Sequence, residues 1–351
     1  MKVLMTCGGT GGHIYPAVAI ANKIKEHHPE CEVLFIGTKK GMENRLVPAA
    51  GYEIKGIDAS GIDRKHLLHN FKTAADYIKG GHEANEILKE FAPDVVIGTG
   101  GYVTGSVIKH AHSLHIPCYI HEQNAFPGVA NKALESSCEK VFISFPEAAH
   151  YFKDQSKIVL SGNPIRSEFI NHPPIPHEGK NVLVCGGSLG AEMINKGALE
   201  MINRKPDYNI IFVTGRRYYE DVKNEIGEIP SNVRLIDYEN DMPNRMAESD
   251  LVISRSGAIT LSEILASGKP AIFIPSPNVT GNHQFHNAKS AADAGAAELI
   301  EEKYLVDNIG LLADTVDSLI NDDEKLSAMS KAARSIARLD AADIIYSCIY
   351  E

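Results

Sequence analysis

Short apolar runs recur along the chain, and most of them end in glycine or small polar residues just before a stretch with helical spacing begins. Lys2 to Thr6 is the first such run. Gly8-Gly9-Thr10-Gly11-Gly12-His13 follows it, and Ile14, Val18, Ala21 and Ile24 then mark one helix face through Glu26. Val33–Ile36, Asp94–Ile97, Ile116–Ile120 and Lys157–Leu160 read as further strands of the first half. The second half starts the same way, with the apolar run Asn181–Cys185, the glycine loop Gly186-Gly187-Ser188-Leu189-Gly190-Ala191 and a helix. Ile210–Val213, Val233–Ile236, Leu251–Ile253, Lys269–Pro275 and Gly295–Ile300 continue it, and Leu305–Ile320, Glu324–Leu339 and Ala341–Tyr350 read as closing helices. This alternation predicts an α/β fold, two Rossmann-like parallel-sheet domains facing across a cleft. Ser161 to Arg166 and Pro173-Pro174-Ile175-Pro176 have linker composition, which places the domains at 1–163 and 164–340.

Several strands end in polar groups, at the edge where open α/β sheets bind ligands. Gly98-Thr99-Gly100-Gly101-Tyr102 and His121-Glu122-Gln123-Asn124 are two such ends. A third is Arg255-Ser-Gly-Ala-Ile-Thr-Leu-Ser-Glu263, where a strand ends in Ser-Gly and turns into a helix. The first amides of that helix are unpaired and its dipole is positive there, so the stretch is suited to an anion such as a diphosphate, with Glu263 able to meet sugar or ribose hydroxyls. Many strand–turn–helix units carry Ser-Gly and bind nothing. Neither glycine loop has the Gly-x-Gly-x-x-Gly spacing, and the strands that follow end in Gly37-Thr38 and Thr214-Gly215 without an acid, which disfavours a nicotinamide oxidoreductase. Ala125 breaks any His-Glu-x-x-His zinc motif at His121, and His110, His112 and His115 do not share a helix face and read as solvated. No metal site is expected.

Composition adds limits. The 351 residues exceed what one core usually serves, and 44% hydrophobic with 23% charged residues is ordinary for globular domains. A net charge of −10 argues against a nucleic-acid partner. Six scattered cysteines without a Cys-x-x-Cys pair read as reduced, buried thiols of a cytoplasmic protein. The N-terminal run is too short for a signal peptide, and no run reaches the ~20 apolar residues of a membrane span, so any membrane contact is peripheral. Leu67, Phe71 and Ile78, together with Leu68, lie beside Arg64, Lys65, Lys72 and Lys79. That pattern suits an anionic membrane surface, although on its own it reads first as an ordinary amphipathic helix facing its own core.

Taken together, GGTGGHIYP (Gly8–Pro16), Gly100-Gly101-Tyr102, HEQN (His121–Asn124), GNPIR (Gly162–Arg166), GGSLGA (Gly186–Ala191), RSGAITLSE (Arg255–Glu263) and His283-Gln284 with Asn287-Ala288 resemble the MurG family over essentially the whole chain. These are inverting GT-B glycosyltransferases of family 28 that move N-acetylglucosamine from UDP-GlcNAc to the 4-hydroxyl of N-acetylmuramic acid in lipid I, giving lipid II of peptidoglycan. The resemblance implies that helix 341–351 returns to the N-terminal domain. It implies a donor site of Ser188, Ala258, Ile259, Thr260, Leu261 and Ser262 around the diphosphate, Glu263 on the ribose and Arg166 on the nucleotide. His283, Gln284 and Asn287 would meet the sugar hydroxyls, and Tyr238 and Glu239 would stand near the uracil. Thr10, Gly11, Gly12 and Asn124 would close over the donor sugar, with Tyr102 toward the acceptor.

The implied reaction needs a general base near neutral pKa, and His13 is the candidate; a structural role capping its helix is the alternative. Helix N-termini would neutralise the leaving diphosphate, with no metal and no cofactor, consistent with a sequence that has no Asp-x-Asp. Residues 64–79 match the place where the family touches the membrane, and Lys132 and Lys140 extend that patch. The implied partners are UDP-GlcNAc, lipid I, an anionic membrane surface and other cell-wall and division proteins, at the cytoplasmic face of the bacterial inner membrane. Leu189 and His283 stand where many members carry Gln; Leu189 removes a polar contact and His283 makes donor affinity pH-dependent. A UDP-GlcNAc 2-epimerase, a glycolipid synthase or a silent cell-wall scaffold are the competing readings.

Overall fold

The computed structural model describes residues 1–59, 69–170, 172–187 and 190–351, with the side chains of 69–77 and of Thr280 outside that description. The chain divides into two compact units, Met1–Ile165 with Asp340–Glu351, and Arg166–Leu339.

The first unit holds seven strands: β1 (Lys2–Cys7), β2 (Glu32–Thr38), β3 (Glu53–Ile57), β4 (Val95–Gly100), β5 (Cys118–Glu122), β6 (Lys140–Ile143) and β7 (Ile158–Leu160). Their order is β3-β2-β1-β4-β5-β6-β7, with parallel pairing throughout the described residues. Alternation along β1 divides its side chains between two layers, as the pleat requires. Val3 and Met5 pack with Ile14, Ile20 and Ile24 of helix Gly11–His27, whereas Leu4 packs with Val103 and Val107 of helix Tyr102–Ser113. The terminal helix Ala341–Tyr350 joins the first of these layers. There Ile345 is fully buried, Lys23 pairs with Asp343 at 2.9 Å and His27 stacks on Tyr346 at 4.1 Å. Burying Ile345 is worth roughly 1.5–3 kcal/mol, more than the exposed ion pair can supply.

The second unit holds β8 (Asn181–Cys185), β9 (Asn209–Val213), β10 (Val233–Ile236), β11 (Leu251–Ser254), β12 (Ala271–Phe273) and β13 (Ala297–Leu299). Their order is β10-β9-β8-β11-β12-β13, again parallel. Both sheets therefore reverse direction of growth at one point, between β1 and β4 and between β8 and β11. At such a point the loops at the carboxyl ends part and leave a crevice.

Two strands escape a reading by hydrophobic runs. β3 alternates Glu53, Ile54 and Lys55 at the sheet edge, and β6 is four residues opening on Lys140. The stretch expected as one helix over 305–320 is two, Glu302–Asp307 and Gly310–Ile320, because Asn308 is extended (φ −147°). Five cysteines are buried as expected, but Cys348 is exposed on the terminal helix. His110 is not simply solvated: its Nδ1 lies 2.8 Å from the Ser106 carbonyl, and the ring fills the space beside Gly81. Among the described residues no helix is long and apolar enough to cross a membrane.

Candidate functional site

In the first unit the switch point is built by glycine. Gly8 N–H donates to Gly100 O at 3.2 Å, and a Cβ on Gly101 (φ +92°) would stand 2.4 Å from Gly8 O, so only glycine lets the two loops close on each other. The helices that follow, Gly11–His27 and Tyr102–Ser113, both start without a side-chain cap, so their first amides remain available at the edge. Thr10 is exposed, with its carbonyl accepting from His13 N at 3.0 Å; Gly11 and Gly12 form the first helical residues.

His13 is half-buried, and its Nδ1 lies 2.8 Å from Gly8 O. A carbonyl can only accept, so the ring donates from Nδ1 and the lone pair of the neutral imidazole is on Nε2. Among the described residues Nε2 has no hydrogen-bond partner. The ring does not cap its helix, since a cap must accept from amides and this ring nitrogen donates. Thr99 Oγ1 donates to His13 O at 2.7 Å, which ties the turn to β4.

The HEQN run is mostly scaffold. His121 is buried, within hydrogen-bond reach of Gly162 O (2.9 Å), and burial pushes its pKa down to about 4, so it stays neutral. Glu122 is buried too and accepts from Asn124 N (2.9 Å), Gly128 N (2.9 Å) and Asn131 Nδ2 (2.9 Å), folding the 124–128 loop around one carboxylate. Gln123 donates to Thr99 O at 2.7 Å. Only Asn124 of the four is partly exposed, while Tyr102 is 64% exposed at its helix start.

In the second unit β11 delivers Arg255 to Glu263 to the carboxyl edge. Helix Ala258–Ala266 follows Gly257 without a side-chain cap. Leu261 N donates to Gly257 O at 2.9 Å and the Leu261 side chain is fully buried, whereas the amides of Ala258, Ile259 and Thr260 precede the first intrahelical bond. Ser262 is half-buried one position further on. Arg255 donates to Ile274 O (3.0 Å) and Pro275 O (3.1 Å) and pairs with Glu302 at 2.5 Å, stapling the loop to the end of β12.

Glu263 lies in the second turn of the helix, 8% exposed. Arg166 Nε and Nη2 both donate to its Oε1 at 3.2 Å, and among the described residues Oε2 has no hydrogen-bond partner. Burial pushes the carboxyl up to about 7, against the pull of the Arg166 guanidinium. Gln284 Oε1 accepts from Ser276 N at 2.9 Å, and its backbone O accepts from Ser256 Oγ at 2.8 Å. Asn287 is fully buried and donates to Ser256 O at 3.1 Å, bracing the Ser-Gly turn. His283 opens helix His283–Asp293, half-buried. Arg216 lies over the Tyr238 ring at 4.4 Å, and Glu239 pairs with Arg245 at 3.0 Å.

Ser188 and Leu189, and Arg64, Lys65, Leu67 and Leu68, lie outside the described residues. Phe71 and Lys72 fall on helix His69–Phe91, where side chains are described only from Ile78 onward. Ile78 is 63% exposed, and Lys79 pairs with Asp58 at 2.6 Å. Lys132 lies over the Phe126 and Tyr151 rings (5.0 and 5.5 Å), and Lys140 donates to Ser156 O at 3.0 Å.

Sequence reasoning missed Glu43, Glu122 and Arg255 as supports of these loops. For Glu43 the sequence carries a signal: β2 ends in Gly37-Thr38 without an acid, and one stands five residues after Thr38 at the start of a helix.

Models of the glycosyltransferase family 28 N-terminal and C-terminal domains match residues 3–143 and 181–345. The UDP-N-acetylglucosamine–N-acetylmuramyl-(pentapeptide) pyrophosphoryl-undecaprenol N-acetylglucosamine transferase of Acetivibrio thermocellus is 46% identical over 361 residues, covering 99% of this chain and 97% of the relative. The enzyme of that name from Clostridioides difficile is 42% identical over 360 residues, covering 99% and 88%. The crystal structure of MurG from Acinetobacter baumannii matches with a TM-score of 0.82 at 30% identity, covering 99% of this chain and 98% of that one. A UDP-GlcNAc 2-epimerase from Neisseria meningitidis, solved with UDP-GlcNAc bound, matches with a TM-score of 0.71 at 17% identity over 99% of each chain, and shares the fold.

Proposed function

We propose, for a chain that belongs to glycosyltransferase family 28, that it transfers N-acetylglucosamine from UDP-GlcNAc to the 4-hydroxyl of N-acetylmuramic acid in lipid I, producing lipid II. The observation that carries this reading is full-length identity of 46% and 42% to enzymes named for that transfer. It is supported by a carboxyl-edge site in each unit with the chemistry the two substrates need.

The second unit takes the donor. The diphosphate lies on the amides of Ala258, Ile259 and Thr260, where the helix dipole opposes its charge without a metal. Glu263 Oε2 accepts the ribose hydroxyls and Arg166 meets the nucleotide, while Gln284 and His283 face the sugar. In the first unit His13 is the base. Its Nε2 takes the proton of the acceptor 4-hydroxyl as that oxygen bonds to the anomeric carbon. The bond from that carbon to the diphosphate oxygen breaks with its electron pair, UDP leaves, and the configuration inverts. Thr10, Gly11, Gly12 and Asn124 close over the donor sugar and define the acceptor pocket, with Tyr102 next to them. The lipid tail of the acceptor places the protein peripherally on an anionic membrane at the cytoplasmic face, through residues 64–79 with Lys132 and Lys140.

Incubation with labelled UDP-GlcNAc, with and without a lipid I analogue, tests the reading. Label should pass to the lipid only when the analogue is present. Conversion of UDP-GlcNAc alone to its 2-epimer, with no lipid product, would replace this reading with the epimerase.

A further inference from the structure

Glu43 opens helix Glu43–Ala49 and is fully buried, with no cation paired to it among the described residues. Its Oε1 accepts from Thr38 N (2.8 Å) and Thr38 Oγ1 (2.6 Å), and its Oε2 accepts from Gly9 N (3.3 Å). Glycines make room for it: a Cβ on Gly37 would stand 2.6 Å from Glu43 Cγ. The third bond matters for His13. Gly9 N–H and Gly8 C=O are the two ends of one planar peptide group and point opposite ways. The carboxylate holds one end, and the imidazole Nδ1–H donates to the other at 2.8 Å. Gly9 takes φ +89°, which orients that peptide and favours glycine even though space for a side chain is open there.

We propose that Glu43 is a positioning residue for the base: through the Gly8–Gly9 peptide it fixes His13 with its proton on Nδ1 and stabilises the imidazolium that forms when Nε2 takes the acceptor proton. Hydrogen bonds in series polarise one another in a low-dielectric setting, so the bond from Gly9 N–H to the Glu43 carboxyl strengthens the Gly8 carbonyl as an acceptor. A carboxylate that orients a histidine directly does the same work in other sites. The other titratable groups about the ring carry no competing charge. The Cys7 thiol at the end of β1 is pushed up by burial first and by Glu43 second, and His121 on β5 is held neutral by burial. On the β4 side the ring fills the space beside Gly100, where a Cβ would stand 2.8 Å from it.

The proposal rests on His13 being the base, and the test separates the two. In Glu43→Gln the fold and the KM for UDP-GlcNAc should persist, kcat should fall by about 10-fold or more, and the acid limb of the kcat–pH profile should move to lower pH as the imidazole loses basicity. Ring ¹⁵N shifts of His13 in the full chain should show the Nδ1–H tautomer in the parent protein, and a lower titration point with mixed tautomers in the variant. Unmoved ring shifts in Glu43→Gln, in a protein whose His13→Ala form is inactive, overturn the role of Glu43 alone. Full activity of His13→Ala overturns the base reading and this role with it. Should Glu43→Gln not fold, the parent protein still decides: the Gly9 amide should titrate together with the His13 ring, and a Gly9 amide that stays flat overturns the coupling.

Discussion

Glu43 in the first unit and Glu263 in the second are both buried carboxylates behind a carboxyl-edge loop, and they are partnered in opposite ways. Glu43 is met by two amides and a hydroxyl, on both oxygens. Glu263 is met by one guanidinium on one oxygen, and burial lifts it to about 7. A buried carboxylate costs free energy until its oxygens are satisfied. Glu43 is already satisfied, so it can fix geometry. Glu263 still has an oxygen to fill, so a ligand that brings hydroxyl donors gains affinity there. The two units share a parallel-sheet plan, and under the proposed function the difference in partners suits one loop to proton chemistry and the other to holding a nucleotide.

The largest expected effect tests the first side of that contrast. His13→Ala should lower kcat by ~10² or more. Gly101→Ala comes next. Its Cβ would press on Gly8 O at 2.4 Å in a left-handed conformation, so it should cost about 1–3 kcal/mol in thermal unfolding and perturb the His13 turn while leaving UDP affinity intact. Equal loss of UDP affinity would erase the division between the units.

Glu263→Gln should weaken UDP binding by roughly 10-fold at pH 8, about the value of one hydrogen bond to a charged group. In the parent protein that affinity should rise from pH 6 to pH 8 as Glu263 loses its proton near 7, and in the variant this part of the pH dependence should vanish. Stability runs the other way. The folded pKa lies above the ordinary 4.5, so the native state holds the proton more tightly; the contribution is full below about 4.5 and is lost as pH rises through about 7. Urea titrations at pH 5 and 8 should show that slope in the parent and not in Glu263→Gln. The smallest effect concerns the basic residues of the stretch 64–79. Lys72→Ala should reduce binding to phosphatidylserine vesicles by about 1 kcal/mol at low salt, and unchanged binding would remove this lysine from the membrane face.

Much of this was legible in the chain. Each glycine loop follows an apolar run, and the doubled plan shows in Cys7-Gly8-Gly9 against Cys185-Gly186-Gly187. The helix start at Ala258 and the carboxylate at Glu263 could be read because strand, Ser-Gly turn and helix are contiguous. Partners distant in sequence could not. The bond from Glu43 to Gly9 spans 34 residues and that from Asn287 to Ser256 spans 31, and no local pattern records either. That is why the bracing of the Ser-Gly turn by Asn287 is invisible in the sequence, and why His121 and Glu122 read as edge groups and proved to be core. The helix begins one residue after Gly257 and so uses the amide of Leu261 itself, a detail the sequence does not mark.

The division between proton transfer and nucleotide holding is tested most directly by calorimetric titration of UDP into His13→Ala, alongside its steady-state turnover. The account predicts parent-like UDP affinity with kcat lower by ~10². UDP affinity that falls as far as in Glu263→Gln, with kcat unchanged, would contradict it.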